Sequence, residues 1–357
     1  MDFSVPGVSP SKSINSRIVR HLAAQCGFDL AGVAMPHPAP DFGRFRHWVE
    51  RGLAGEMRYL TDQRAEARND PAQLLRDVRS VICVGLVYNG PEPYSTRFAD
   101  PERAWISRYA WGEDYHDIVR AKLENLKCKL LEIKQFNSRV CVDTAPLLER
   151  SLARRAGLGW IGKNTCLINQ QLGSWFFLGE LLTTLAIEPD APPPDRCGTC
   201  TRCIDACPTA AIVQSPDGQF ELDARLCISY FTIELRSAIP DAQRAAVGAH
   251  VFGCDICQDV CPWNNRAAET SEARFHPREF APGLERMAGI TEAEFREMFR
   301  HSPVSRTKYR GFLRNVAVAM GNARLEKFRE PLKKLAASED QFIAEHARWA
   351  LDALSGG

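Results

Sequence analysis

No apolar run in this sequence is long enough to cross a bilayer, and the first residues (M-D-F-S-V-P-G) carry no basic-then-apolar leader. The expectation is a cytoplasmic protein with no membrane partner. Charge of one sign is lacking as well: 45 Lys and Arg against 44 Asp and Glu leave a net charge of +1. That excludes a global pull towards nucleic acid, so any such binding must come from a local patch. Nothing points to an obligate assembly, and a monomer is expected. A chain of 357 residues has room for two or three domains and a sizeable core.

What the sequence has in quantity is cysteine, thirteen in all. Four of them form the run Cys197-x2-Cys200-x2-Cys203-x3-Cys207-Pro208, the bacterial-ferredoxin spacing for a 4Fe–4S cluster. In that pattern the first three thiolates hold one cluster and the fourth reaches a second. A second run, Cys254-x2-Cys257-x3-Cys261-Pro262, is one ligand short, because Val251 stands where its first cysteine would be. The crossing rule sends Cys261 back to join Cys197, Cys200 and Cys203, and sends Cys207 to Cys254 and Cys257. Cys227, between the runs, is the expected fourth ligand of the second cluster. Structural zinc would more typically use paired C-x2-C knuckles. Disulfides do not suit a reducing compartment, and an odd cysteine count leaves one over. Cys26, Cys83, Cys128, Cys141 and Cys166 stand in apolar contexts, and most of them read as small buried hydrophobes.

Along the chain, apolar spacing predicts a helix over about 14–26 ending at Gly27, a short strand over 28–34 and an amphipathic helix over 41–52. The segment D-P-A-Q-L-L-R-D-V reads as helical with Pro71 in its first turn. V-I-C-V-G-L-V-Y (81–88) reads as a buried central strand, 139–143 and 175–187 as further strands, and about 114–134 and 146–156 as helices. Alternating strands and helices predict an α/β domain over 1–190. The proline-rich stretch 188–195 marks a boundary, followed by a ferredoxin-like two-cluster module over 191–265. Residues 266–357 read as helical, with a capping box from Thr291 to Glu294 and helices over 309–322 and 339–354 resembling a short HEAT-type unit. The fold class is thus mixed, α+β or α/β, with a helical C-terminal region.

With these motifs in place, the chain resembles the epoxyqueuosine reductase family over nearly its whole length. The resemblance rests on 106–116 (I-S-R-Y-A-W-G-E-D-Y-H), 142–150 (V-D-T-A-P-L-L-E-R) and 157–165 (G-L-G-W-I-G-K-N-T). It rests equally on 227–235, 253–264 and 302–315, beside the cysteine runs. It implies removal of the epoxide oxygen from epoxyqueuosine at the tRNA wobble position. It further implies a base-off cobalamin held by the N-terminal domain beside one of two 4Fe–4S clusters, and an external low-potential electron donor. That domain is similar to the cobalamin domain of reductive dehalogenases. No D-x-H-x-x-G box is present, as the base-off mode would have it.

Epoxide removal needs two electrons, a soft partner for carbon and a positioned acid for the departing oxygen. Asp143 matches the family's proton-donor aspartate and is expected at the end of a strand; to act as an acid near neutral pH its pKa would have to be raised by burial. An ordinary helix N-cap is the competing role for Asp143. Tyr109, Tyr115 and His116 are expected to line a corrin or nucleobase pocket, and His116 is not assigned as a cobalt ligand. The glycine-rich G-W-I-G-K-N-T is read as backbone approaching a bulky cofactor, with Lys163 and Asn164 available to corrin amides, Thr165 and Leu167 beside them, and Arg58 at the same pocket. Arg306, Lys308, Arg310 and Arg314 lead a locally basic C-terminal stretch expected to contact tRNA phosphates; a solvated helix face is the plainer reading. Two other functions share the cluster motifs. A small-molecule reductase would not need the basic tail, and a pure electron carrier would leave the N-terminal domain unexplained.

Overall fold

The computed structural model describes residues 14–37 and 40–355, so the reading of residues 1–7 as leaderless lies outside it. The strand Ser80–Val87 is buried at every position, which requires both faces of its sheet to be covered. This is β2 of a sheet completed by β1 (Leu30–Ala34), β3 (Ser138–Cys141) and β4 (Phe176–Thr183), in the order β1-β2-β4-β3. Side chains alternate across it. Ile82, Val84, Leu86 and Leu181 meet Val119 and Leu123 of the helix Tyr115–Leu131 on one face. Val81, Cys83, Val87 and Leu182 meet Leu152 and Ala153 of the helix Glu149–Arg155 on the other.

These helices are α3 and α4; α1 (Ser16–Gln25) and α2 (Phe42–Glu50) precede them. α1 begins where the Asn15 side chain accepts the Ile18 N–H at 3.0 Å and stops at Gly27, whose φ of +79° a side chain would resist.

Every pairing in the sheet is antiparallel, which places the mixed fold on the α+β side of the two classes expected. Strand–helix alternation fixes the elements but not the direction in which each strand re-enters the sheet. Residues 70–78 form only one 3₁₀ turn, Pro71–Gln73, opened by the Asp70 side chain accepting the Ala72 N–H, and the chain then turns left-handed at Asp77 (φ +59°). β3 ends at Cys141, so Asp143 follows the strand instead of closing it.

The cysteine runs sit in loops entering two single-turn helices, Arg202–Asp205 and Ile256–Asp259. The strand His250–Phe252 pairs in parallel with Trp105–Ile106 and ties this region to the N-terminal half. Further on lie α5 (Glu292–Met298), α6 (Lys308–Ala323), α7 (Arg329–Ala336) and α8 (Gln341–Ser355). The capping box expected at Thr291 and Glu294 opens α5. α6 is central, buried at every position from Gly311 to Gly321. Its Gly321 lets α8 approach closely, since a Cβ there would lie 2.8 Å from the Ala350 Cα. Trp105, Ile106, Val251 and Phe252 share one apolar cluster with α6 and its neighbours, so the N-terminal and C-terminal halves have a joint core. Among the described residues, no helix is long and apolar enough to cross a membrane.

Candidate active site and cluster ligands

The eight cysteines of the two runs and their connector fall into two groups. Cys197, Cys200, Cys203 and Cys261 line one cavity of about 250 Å³, closed by Ile168, Pro262 and Trp263. The sequence separates Cys261 from the others by more than fifty residues, and the fold returns it to them. Cys207, Cys227, Cys254 and Cys257 form the second group: Cys227 lies close enough to feel the charge of Cys207, Cys254 that of Cys227 and Cys207, and Cys257 that of Cys254 and Cys227. Four soft sulfur donors around one space are the donor chemistry of an iron–sulfur cluster.

Two residues assigned to the corrin instead brace these loops. The Lys163 ammonium donates to the Gly198 and Cys200 carbonyls at 2.8 and 2.9 Å. Asn164 is buried, with Nδ2 donating to the Cys257 carbonyl at 3.2 Å and Oδ1 accepting the Cys166 N–H at 3.2 Å. Two of the three Lys163 N–H groups and one of the two on Asn164 Nδ2 are thus engaged by the cysteine loops. Leu167 is likewise buried in the sheet's apolar cluster, which leaves only its backbone for a cofactor. Thr165 stands in a left-handed turn at φ +63°, its carbonyl accepting from Arg150. Of the five lone cysteines Cys26, Cys83 and Cys141 are buried, as expected for most of them, whereas Cys128 is exposed and the Cys166 thiol lies against that of Cys257.

Asp143 occupies a left-handed turn at φ +53°, one residue after the buried Val142, with its side chain 41% exposed. The backbone of β3 delivers the chain to the sheet edge, and the turn then tips the carboxylate outward. There it meets His116, near the start of α3. His116 Nε2 lies 3.2 Å from Asp143 Oδ2, and its Nδ1 lies 2.6 Å from Asp114 Oδ1. Asp114 is also the N-cap of α3, accepting the His116 N–H at 3.0 Å. The imidazole is thus clamped between two carboxylates. Burial opposes its charge, but the hydrogen bonds it donates to Asp114 and then to Asp143 outweigh it and raise its pKa to about 9. For Asp143, burial pushes up while the hydrogen bond and charge of His116, with Arg306 and Tyr115, pull further down. The carboxyl therefore sits below its ordinary range, the opposite of the shift its acid role was expected to need. At neutral pH the proton rests on His116, and Asp143 is its anionic neighbour. The helix N-cap role does not apply to Asp143, since α4 starts at Glu149 and has no side-chain cap.

Aromatic rings wall this spot. Tyr115 stacks on Phe177 at 4.2 Å and on His116 at 4.1 Å, while Tyr109 meets Tyr115 edge-on and packs near Phe252. Arg306 arrives from the turn before α6, paired with Glu234 at 2.8 Å and lying over the Tyr59 ring. Arg58 is exposed on a single-turn helix nearby in sequence.

The remaining basic residues divide. Lys308 is exposed at the start of α6, and Arg310 is exposed but paired with Asp340 at 2.7 Å. Arg314 is fully buried, donating to the carbonyls of Leu235, Ser237 and Phe231, which corrects its assignment as a phosphate contact. A guanidinium enclosed by backbone acceptors has no path to a phosphate. Lys327, Arg329 and Lys333 pair with Glu102, Glu326 and Glu330, so the basic stretch is largely neutralised by partners that sequence order did not all reveal. Arg314→Ala should leave three carbonyls without their donor and cost about 3 kcal/mol or more, measured as a lower denaturation midpoint. Lys308→Ala should leave stability unchanged and reduce the salt slope of RNA binding by about one.

The site also contains residues that sequence reasoning passed over. Glu149 accepts the Asp143 N–H at 2.7 Å, and Glu180 lies fully buried in β4 behind it. The available signal was Glu180 itself, a lone carboxylate inside the apolar run W-F-F-L-G-E-L-L.

Residues 196–264 match the family model of a 4Fe-4S double cluster binding domain, and residues 68–144 match that of epoxyqueuosine reductase QueG. The chain is 41% identical to the epoxyqueuosine reductase of Xanthomonas campestris pv. campestris, covering 93% of this chain and 94% of that one. It is 39% identical to the Pseudomonas aeruginosa epoxyqueuosine reductase, over 96% and 95% of the two chains. Its fold superposes with a TM-score of 0.85 on a crystal structure of epoxyqueuosine reductase with an epoxyqueuosine-modified tRNA stem loop, at 29% identity over 95% of this chain and 89% of the other. A Bacillus subtilis epoxyqueuosine reductase, with its aspartate-bearing catalytic loop swung out of the active site, superposes at 0.83 with 28% identity, over 95% and 90%.

Proposed function

The chain belongs to the epoxyqueuosine reductase family, and from that premise we infer that it reduces epoxyqueuosine in tRNA. The observation that carries the chemistry is the Asp114–His116–Asp143 chain of contacts, which stores a proton beside an exposed carboxylate. Converting an epoxide to an alkene consumes two electrons and two protons and releases water. Clusters at Cys197, Cys200, Cys203 and Cys261, and at Cys207, Cys227, Cys254 and Cys257, would pass the electrons singly from an external low-potential donor.

Cobalamin is the proposed partner for the substrate carbon; when bound, it supplies a soft metal nucleophile. The residues around Asp143 fit a base-off cofactor. Both nitrogens of His116 are committed to carboxylates, so that imidazole is not free to ligate cobalt. Tyr109 and Tyr115 offer flat faces, and the 162–165 turn offers backbone. Asp143 would take the proton from His116 Nε2 and pass it on to the departing oxygen. Arg306 would hold the negative charge that appears when the proton leaves. Lys308 and Arg310, with Arg306, are the proposed phosphate contacts, Arg58 remains a proposed contact of the corrin pocket, and the target base must be turned out of its loop to reach Asp143. A division into 1–190, 191–265 and 266–357, with a HEAT-like last part and action in the cytoplasm as a monomer, completes the proposal.

The test is an anaerobic turnover of cluster-loaded protein with a strong reductant and epoxyqueuosine tRNA, with and without cobalamin. A nucleoside lighter by one oxygen, formed only with cobalamin, is expected. No product from protein shown to carry both clusters and cobalamin would favour a small-molecule reductase.

His116 gives this reading a pH signature. Its folded pKa lies above the unfolded value, so its protonated contribution is complete below about 6.5 and is lost as pH rises through about 9. The rate of the chemical step should fall across that upper limit, and His116→Gln should remove the limb. A rate flat through pH 10 in the wild type would take His116 out of the proton path.

A further inference from the structure

Beneath the Asp143 turn lie two carboxyl groups that the steps above do not use. Glu180 stands in the middle of β4, directly across from Cys83 of β2 and Cys141 of β3, fully buried on the face that α4 covers. Neither of its carboxyl oxygens receives an N–H or O–H from an ordinary donor among the described residues. The polar group within hydrogen-bonding reach is a second carboxyl, that of Glu149. Glu149 in turn reaches upward, where its Oε1 accepts the backbone N–H of Asp143 at 2.7 Å. Asp143 is held at φ +53°, a conformation that a residue with a side chain keeps only when its surroundings fix it.

Two carboxylates in contact in a dry interior cannot both ionise. An ionised Glu180 would be a buried charge with no donor to stabilise it. A single proton resolves both problems, bridging the two side chains as O–H···O. We propose that Glu149 and Glu180 share one proton and that this acid pair positions Asp143, Glu149 gripping its amide and Glu180 holding Glu149 in place. The surrounding charges agree. Burial first, then the charge of Asp143, raises the Glu149 carboxyl; burial, then Glu149, raises Glu180 well above the ordinary range. The groups facing the pair are Asp143 on the turn, Arg150 on α4, Tyr115 on α3, Cys83 on β2, Cys141 on β3 and Arg68 after the 64–67 helix. Arg150 is the cation nearest in sequence, and its guanidinium is engaged by the Thr165 carbonyl. Loss of the shared proton at alkaline pH sets two like charges against each other and frees the Asp143 turn.

The proposal rests on Asp143 being the proton donor, and its test separates the two ideas. Amide hydrogen exchange over 142–148 is followed in cluster-loaded full-length protein, corrected for the intrinsic pH dependence, beside kcat and KM. Glu149→Ala removes the grip, and exchange at residue 143 should quicken at least tenfold while kcat falls on the order of ten- to hundredfold at similar KM. Glu149→Gln keeps an acceptor for the amide and a donor for Glu180, and should stay near wild type in both. Glu180→Gln is isosteric and keeps the fold; it should abolish the alkaline rise in exchange. Wild-type protection in Glu149→Ala, or an unchanged alkaline rise in Glu180→Gln, would overturn the latch. A Glu149→Gln variant as impaired as Glu149→Ala would also overturn it, pointing to a transferable proton instead. Full activity in Asp143→Asn would remove the donor reading, while exchange at residue 143 would still report on the latch.

Discussion

Asp143→Asn is expected to slow single-turnover removal of the epoxide oxygen by roughly 10²–10⁴-fold, the range a positioned general acid contributes. Asparagine preserves the size and hydrogen-bonding shape of the side chain and tolerates a left-handed backbone, so the turn at φ +53° should persist. What it removes is the exchangeable proton path from His116 Nε2 to Oδ2. It also removes the negative charge that keeps His116 protonated, so the imidazole should titrate below its present value of about 9. Two observations should therefore move together, a lower rate and an acid-shifted His116 titration followed by NMR. RNA affinity should change little, because an anionic carboxylate does not attract a phosphate. A variant that retains the wild-type rate would leave His116 or solvent as the direct acid and would remove Asp143 from the chemistry.

The second large effect concerns Cys227. Replacing it with Ser should cost one cluster and spare the other, lowering bound iron from about eight to about four atoms per chain. Cys227 stands with Cys207, Cys254 and Cys257, whereas the cavity of the first cluster is lined by Cys197, Cys200, Cys203 and Cys261. A serine oxygen is a poor substitute for thiolate towards iron. With one cluster missing the electron path is broken, and turnover should fall to background even with cobalamin supplied. The remaining cluster should keep its EPR signal on reduction. Equal survival of both signals, or equal loss, would contradict the grouping of thiols.

Much of this site could be read from local order. The cysteine spacing implied two clusters, and the gap at Val251 with the crossing rule implied that Cys261 goes back to the first set. Pro208 and Pro262 close each run, and the ligand loops need few residues, so spacing alone carries the geometry. Helices and strands with strong periodicity appeared where expected, and Thr291 and Glu294 capped the helix they were expected to cap. The residues read less well were those whose role depends on a distant partner. Lys163 and Asn164 belong to a glycine-rich stretch that suggests a cofactor, yet their side chains are taken by loops some 35 and 93 residues away. Arg314 shares a basic stretch with Lys308 and Arg310, but it lies past the exposed first turn of α6, where the helix is buried all round, and that makes it a structural donor.

The sequence by itself determined the inventory: eight thiols in two sets, a mixed fold with a helical end, and an aspartate in V-D-T-A-P. These follow from short-range rules, because ligand spacing, side-chain period and capping act over a few residues. Tertiary structure alone decided where the proton resides. Asp143 and His116 lie 27 residues apart and meet across a hydrogen bond that reverses the expected direction of the Asp143 shift. Glu149 and Glu180 become an acid pair only because β4 runs antiparallel between β2 and β3 under α4. Electrostatic energy depends on distance through space and on what water is excluded, and neither quantity is written in the order of residues.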